Sequence, residues 1–128
     1  MRLLLDTCCL LWWAIEPELL SKPVHERLRD PRNELNLSIA SAWEVAIKAK
    51  TGRLNLSLSP MDFIVDVSRR YDLRLLDINL EHAVRAGSLD LHHEDPFDRM
   101  LIAQAEIEGL SIATPDSAFA RYGVDLVW

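Results

Sequence analysis

Four acidic residues stand where this chain passes from a strand-like stretch into a helix-like one: Asp6, Glu44, Asp98 and Asp116. Asp6 is the most demanding of them. It lies in LLLDTCCLLWW, residues 3–13, a run that is otherwise almost entirely apolar. An uncompensated charge buried in such a run costs several kcal/mol. If the four acids converge, they also repel one another: two carboxylates about 4 Å apart differ from isolated ones by roughly 4 kcal/mol at an effective dielectric near 20. Proton uptake or a bound cation must relieve that repulsion. Ligand sets made only of oxygen select hard divalent ions, Mg²⁺ or Mn²⁺, and Mg²⁺ held by a few carboxylates is characteristic of phosphoryl chemistry.

Convergence requires a fold that brings distant junctions to one edge. The pattern along the chain supplies one. RLLLD, LNLSI (35–39), LRLLDI (73–78), LSIAT (110–114) and VDLVW read as short strands. Between them lie the helix candidates TCCLLWWAI, PVHERLRD (23–30), SAWEVAIKAKTG (41–52), PMDFIVDVSRRYD (60–72), LEHAVRAGSL, DPFDRMLIAQAEIEG (95–109) and PDSAFARYG (115–123). In the longest of these Asp95 is the N-cap, Pro96 occupies the first turn and Gly109 is the stop. Strands alternating with helices imply an α/β fold with a parallel sheet covered on both faces. In such folds ligands bind beyond the carboxyl ends of the strands. Asp6 follows the first strand, Glu44 falls in the first turn of the helix after LNLSI, Asp98 in the first turn of its helix, and Asp116 two residues past LSIAT.

A purely structural reading of the acids stays open at this level. Acids are favoured at helix starts by capping and by the helix dipole, and Ser41-x-x-Glu44 has the form of a capping box. Two features weigh against it. Asp98 shares a helix face with Leu101, Ile102 and Ala105, and Asp6 lies in a run expected to be buried.

The totals narrow the class. The 128 residues are 49% hydrophobic and 27% charged, with a formal net charge of −6 and a pI near 5.1. That is an ordinary globular composition, suited to one domain spanning 1–128. It argues against a protein held to nucleic acid by bulk positive charge. A positive rim would have to be local, and Lys48, Lys50, Arg53 and Arg99 are its candidates. Cys8 and Cys9 are adjacent, so no disulfide framework is read; they are expected as core residues in a reducing, cytoplasmic setting. No apolar stretch reaches membrane-spanning length. His92-His93-Glu94-Asp95 lacks a second ligand pair at zinc spacing and reads as a polar loop. Trp12 and Trp13 point about 100° apart on a helix, so one of them can face an interface.

Taken together, LLLDT, SAWEVAIKAKTGRL, HHEDPFDRMLIAQA and ATPDSAF, in this order and spacing, strongly resemble the PIN-domain nucleases, and among them the VapC-type toxins of toxin–antitoxin pairs. The resemblance covers nearly the whole chain. It implies a three-layer α/β sandwich with a mostly parallel central sheet of four to five strands. It implies active-site acids at Asp6, Glu44, Asp98 and Asp116, holding Mg²⁺ or Mn²⁺, with Thr7 and Thr114 as polar neighbours. It also implies hydrolysis of RNA to 5′-phosphate and 3′-hydroxyl ends, a homodimer, and a small antitoxin as partner. Relatives often carry other residues where this chain has Cys8 and Cys9.

Three other readings of the same junction acids compete. Phosphatases with an aspartate nucleophile place a second Asp two residues on, where this chain has Cys8. Receiver domains need a Lys after a late strand, where this chain has Ala113-Thr114-Pro115-Asp116. A non-catalytic binding module, with the acids as caps, is the third.

Overall fold

The computed structural model describes residues 1–128. Five strands form a single sheet: β1 (Arg2–Leu5), β2 (Glu34–Ser38), β3 (Leu73–Leu76), β4 (Ser111–Ala113) and β5 (Leu126–Val127). Every pairing is parallel, in the order β3-β2-β1-β4-β5. The sheet is therefore wholly parallel, and all five strands expected from the sequence are present.

The alternation of side chains along each strand splits the apolar residues between two faces. Leu3, Leu5, Leu35 and Leu37 share one core with the helices α1 (Thr7–Ile15), α2 (Lys22–Arg29), α3 (Ile39–Lys50) and α4 (Pro60–Arg70). Leu4 and Ile112 face the other way, into a second core with α5 (Leu80–Ser88), α6 (Pro96–Glu108) and Phe119. The result is three layers. The near-continuous apolar run of β1 follows directly, because a central parallel strand is buried on both faces; Leu3, Leu4 and Leu5 are fully inaccessible.

The chain first lays β2 and β3 on one side of β1, then crosses to lay β4 and β5 on the other. Connections leaving β1 and β4 diverge, which opens a crevice above their carboxyl ends. In register, Leu5 lies opposite Leu37 on one side and Ala113 on the other. The residues immediately after these positions are Asp6, Ser38 and Thr114.

Three local expectations are corrected. Helix α3 starts at Ile39, two residues early, because Ser38 caps it by accepting from the Ala40 N–H. Ser41-x-x-Glu44 is thus no capping box, and Glu44 lies in the second turn instead of the first. The segment read as a last helix is a 3₁₀ turn, Ser117–Tyr122. Trp12, half-buried, packs on Trp128 (5.7 Å between centroids), while Trp13 stacks on Tyr71 at 3.8 Å.

Helix α6 matches the sequence reading closely. Asp95 accepts from the Phe97 and Asp98 N–H groups, Pro96 opens the helix, and Gly109 ends it in the left-handed region at φ 66°. A residue with a Cβ would be strained there.

Candidate active site

Asp6 occupies the end of the central strand. Its N–H continues the β1–β4 ladder by donating to Ala113 O at 3.1 Å. Its side chain caps α1: Oδ1 accepts from the Cys9 N–H at 2.6 Å, and Oδ2 accepts from the Thr114 hydroxyl. Asp6 is only 5% exposed. Burial pushes its carboxyl up to about 6, a rise that Thr114 and the Cys9 N–H oppose and that Glu44 and Asp116 reinforce.

Thr114 has a second task. Its Oγ accepts from the Asp116 N–H at 3.0 Å, so one hydroxyl connects Asp6 to the turn bearing Asp116. Asp116 in turn caps the 3₁₀ turn through the Ala118 N–H. Thr7 ties α1 to α3 by donating its hydroxyl to Ser41 Oγ at 3.0 Å.

Glu44 reaches the same place from α3. Its Oε2 pairs with Lys48 Nζ at 3.1 Å, whereas its Oε1 is buried without a hydrogen-bond partner. Asp98 comes from the first turn of α6. Burial, then Asp95, raises its carboxyl to about 7, against the pull of His93. Asp6, Glu44, Asp98 and Asp116 line one cavity of about 340 Å³, together with Thr7 and Lys48. The four acids picked from the sequence are therefore brought together.

Oxygen donors dominate this cavity, and one of them, Glu44 Oε1, is a buried acceptor with nothing to accept from. Such an atom is costly unless a cation or proton reaches it. The donor set fits a hard divalent ion. The start of α1 and the start of α6 point their positive dipole ends at the same region, which tempers the accumulated negative charge.

Three of the four rim candidates lie outside the cavity. Arg99 is not at the rim: it is 8% exposed, and its guanidinium donates to the carbonyls of Ala86, Leu89, Asp90 and His93. It follows Asp98 in sequence but points from a different face of α6, since consecutive helical residues diverge by about 100°. Lys48 does line the cavity; Lys50 and Arg53 are exposed outside it. Cys9 is buried and Cys8 half-buried, both as free thiols. Burial and Asp6 push the Cys8 thiol up to about 11, which leaves it unreactive as a nucleophile.

In the sequence His93 reads only as part of a polar loop. Its Nε2 lies 2.8 Å from Asp98 Oδ2 and 3.8 Å from Asp116 Oδ2. Its place in HHEDPFD, five residues ahead of Asp98, was the available signal.

A family model described as PIN domain matches residues 3–125. Ribonuclease VapC22 of Mycobacterium tuberculosis is 27% identical over 114 residues, covering 88% of this chain and 85% of the relative. Among solved structures, VapBC2 from Rickettsia felis bound to a promoter DNA fragment superposes with a TM-score of 0.74 at 15% identity, covering 99% and 98% of the two chains. A toxin–antitoxin complex from Klebsiella pneumoniae gives 0.62 at 21% identity, covering 98% and 95%. The structural likenesses carry the fold, the family match spans both ends of the acidic crevice, and together with the five-stranded parallel sheet they place this chain in the PIN-domain family.

Proposed function

We propose that this chain is a metal-dependent endoribonuclease acting as the toxin of a toxin–antitoxin pair. The observation that carries the reading is the convergence of Asp6, Glu44, Asp98 and Asp116 on one cavity, with Glu44 Oε1 buried and unpartnered. Caps alone do not account for it, because Glu44 caps nothing. The similarity to Ribonuclease VapC22 supports the RNA substrate.

The four carboxylates would hold Mg²⁺ or Mn²⁺. Such an ion supplies a water of lowered pKa and neutralises charge that builds on a phosphate during hydrolysis. The chain's own residues do the rest. Thr114 and the Cys9 N–H fix both oxygens of Asp6, so the carboxylate has one orientation. Lys48, the cation facing into the cavity, offsets the repulsion between the acids and an incoming phosphate.

The test is direct. Purified protein incubated with total RNA should cut it when Mg²⁺ is present and not when it is chelated, leaving 5′-phosphate ends on sequencing. Asp6→Asn should abolish cleavage. Wild-type cleavage by Asp6→Asn, or cleavage indifferent to chelation, would remove the basis of the assignment.

Two partners belong to this reading. A second copy of the chain is supported by an uncovered apolar face: Leu80 and Val84, one turn apart on α5, are 79% and 61% exposed. Trp43 of α3, 62% exposed, shares an apolar groove with Ile78 and Phe97 beside them. Sedimentation of wild type and Val84→Glu measures it. A small antitoxin is supported by the likeness to toxin–antitoxin complexes and by a hollow of about 540 Å³ lined by Ile15, Leu58 and Phe63.

A further inference from the structure

The segment between α5 and α6 is fastened at several points. The buried Arg99 guanidinium donates to four carbonyls of residues 86–93. The Tyr122 hydroxyl accepts from the His93 N–H and donates to Asp90 O, each at 2.8 Å. His92 packs edge-on against the Tyr122 ring, and His93 against Phe119. A connecting loop on a surface needs none of this. What the fastening accomplishes is to fix one imidazole, with His93 Nε2 at 2.8 Å from Asp98 Oδ2 and 3.8 Å from Asp116 Oδ2.

The direction of the contact follows from the other ring nitrogen. The Asp95 N–H points at His93 Nδ1 at 3.5 Å, and a backbone N–H can only donate. We therefore assign Nδ1 as the acceptor and place the hydrogen on Nε2. That hydrogen points at the Asp98 carboxylate. Residues 93, 95 and 98 thus form a short relay: Asp95 caps the helix that carries Asp98 and orients the ring that holds Asp98 Oδ2.

We propose that His93 is a positioning residue of the active site, holding Asp98 in the arrangement that takes up the divalent ion, and not itself a ligand to it. Outer partners of ligating carboxylates typically set metal affinity by 10–100-fold. His93 fills that position for Asp98. The inference rests on the metal-dependent reading of the acidic cavity.

Mn²⁺ titration of the full chain by calorimetry tests it without reference to RNA cleavage. His93→Leu should weaken Mn²⁺ binding about 10–100-fold. His93→Gln, which returns an N–H donor near Nε2, should stay within about threefold of wild type. Equal affinity in His93→Leu and wild type overturns the positioning role. It leaves the metal reading intact provided that Glu44→Gln still abolishes binding; no Mn²⁺ binding by wild type overturns both. Nitrogen NMR of the wild-type imidazole needs no variant. It should show Nε2 protonated and Nδ1 bare, both without metal and with saturating Mg²⁺. A bare Nε2 in the Mg²⁺ form would make His93 a ligand and end the proposal.

Discussion

The hydroxyl of Thr114 donates to Asp6 Oδ2 across 108 residues of sequence. The contact exists because β1 and β4 are parallel neighbours that end level with each other, so the residue after each strand meets the other. Asp6 is buried, and this is one of two donors its carboxylate receives. Thr114→Val keeps the shape and removes the donor. It should lower metal-dependent cleavage about 10–100-fold, while Thr114→Ser retains most of it. Parallel rates for Val and Ser in the same cleavage assay would show the hydroxyl to be dispensable.

Metal-free stability should fall as pH rises through neutrality. Asp6 titrates near 6 and Asp98 near 7 in the folded chain, both above the usual carboxylate value of 3.8. The folded state therefore holds these protons more tightly than the unfolded state. Their contribution is complete below about pH 4, and it is lost as pH climbs through 6 and 7. For Asp6 the loss is about 3 kcal/mol at 1.36 kcal/mol per unit. Asp30 and Glu34 shift downward and act only at more acidic pH. Urea unfolding of chelated protein at pH 5.5 and pH 8 measures the difference, and higher stability at pH 8 would contradict it. Mn²⁺ should restore stability at pH 8 by binding only the folded state.

Glu44→Gln should separate stability from metal binding. The buried, unpartnered Oε1 is an expense in the metal-free chain. Gln removes the charge and lessens the repulsion with Asp6 and Asp98. Chelated Glu44→Gln should unfold about 1–2 kcal/mol later than wild type, a rise of several degrees in Tm for a domain of this size. It should gain nothing from Mn²⁺. A variant less stable than wild type without metal would show that the Lys48 ion pair outweighs the cost of the buried, unpartnered oxygen.

Arg99 and Lys48 should behave as opposites. Arg99→Ala leaves four buried carbonyls without their donor and opens the loop before α6. It should cost at least 3 kcal/mol in chemical denaturation. Lys48→Ala removes a half-buried ion pair with Glu44 and should cost less stability than Arg99→Ala. Its effect should appear in RNA binding, as a shallower dependence on salt. Unchanged salt dependence would remove Lys48 from the phosphate-binding surface.

Much of this architecture was legible from the sequence, for reasons particular residues make plain. The apolar runs of β1 and β4, the Asp95-Pro96 start and the Gly109 stop are strong local signals, and the junction acids follow from them. Arg99 is misleading in the sequence because a cation next to a junction acid suggests a substrate contact, whereas helical geometry turns it toward backbone carbonyls 10 and 13 residues earlier. His93 was missed because its meaning lies in Tyr122 and Asp116, partners that only folding brings near. The start of α3 was misplaced because Ser38 and Ser41 are equally good caps on paper. The strand pairing of Ser38 with Leu76 decides between them.

Strand β5 supplies Val127, whose carbonyl receives the Thr114 N–H. The residue that orients Asp6 is thus itself secured from position 127, far later in the chain than Asp6. At about 5–20 residues per second, translation takes several seconds to cover that interval. Throughout it, the growing polypeptide carries its first acids with no crevice to put them in. The crevice is therefore complete only once the last strand has been made, and synthesis that stops before β5 leaves the Thr114 N–H without its backbone partner.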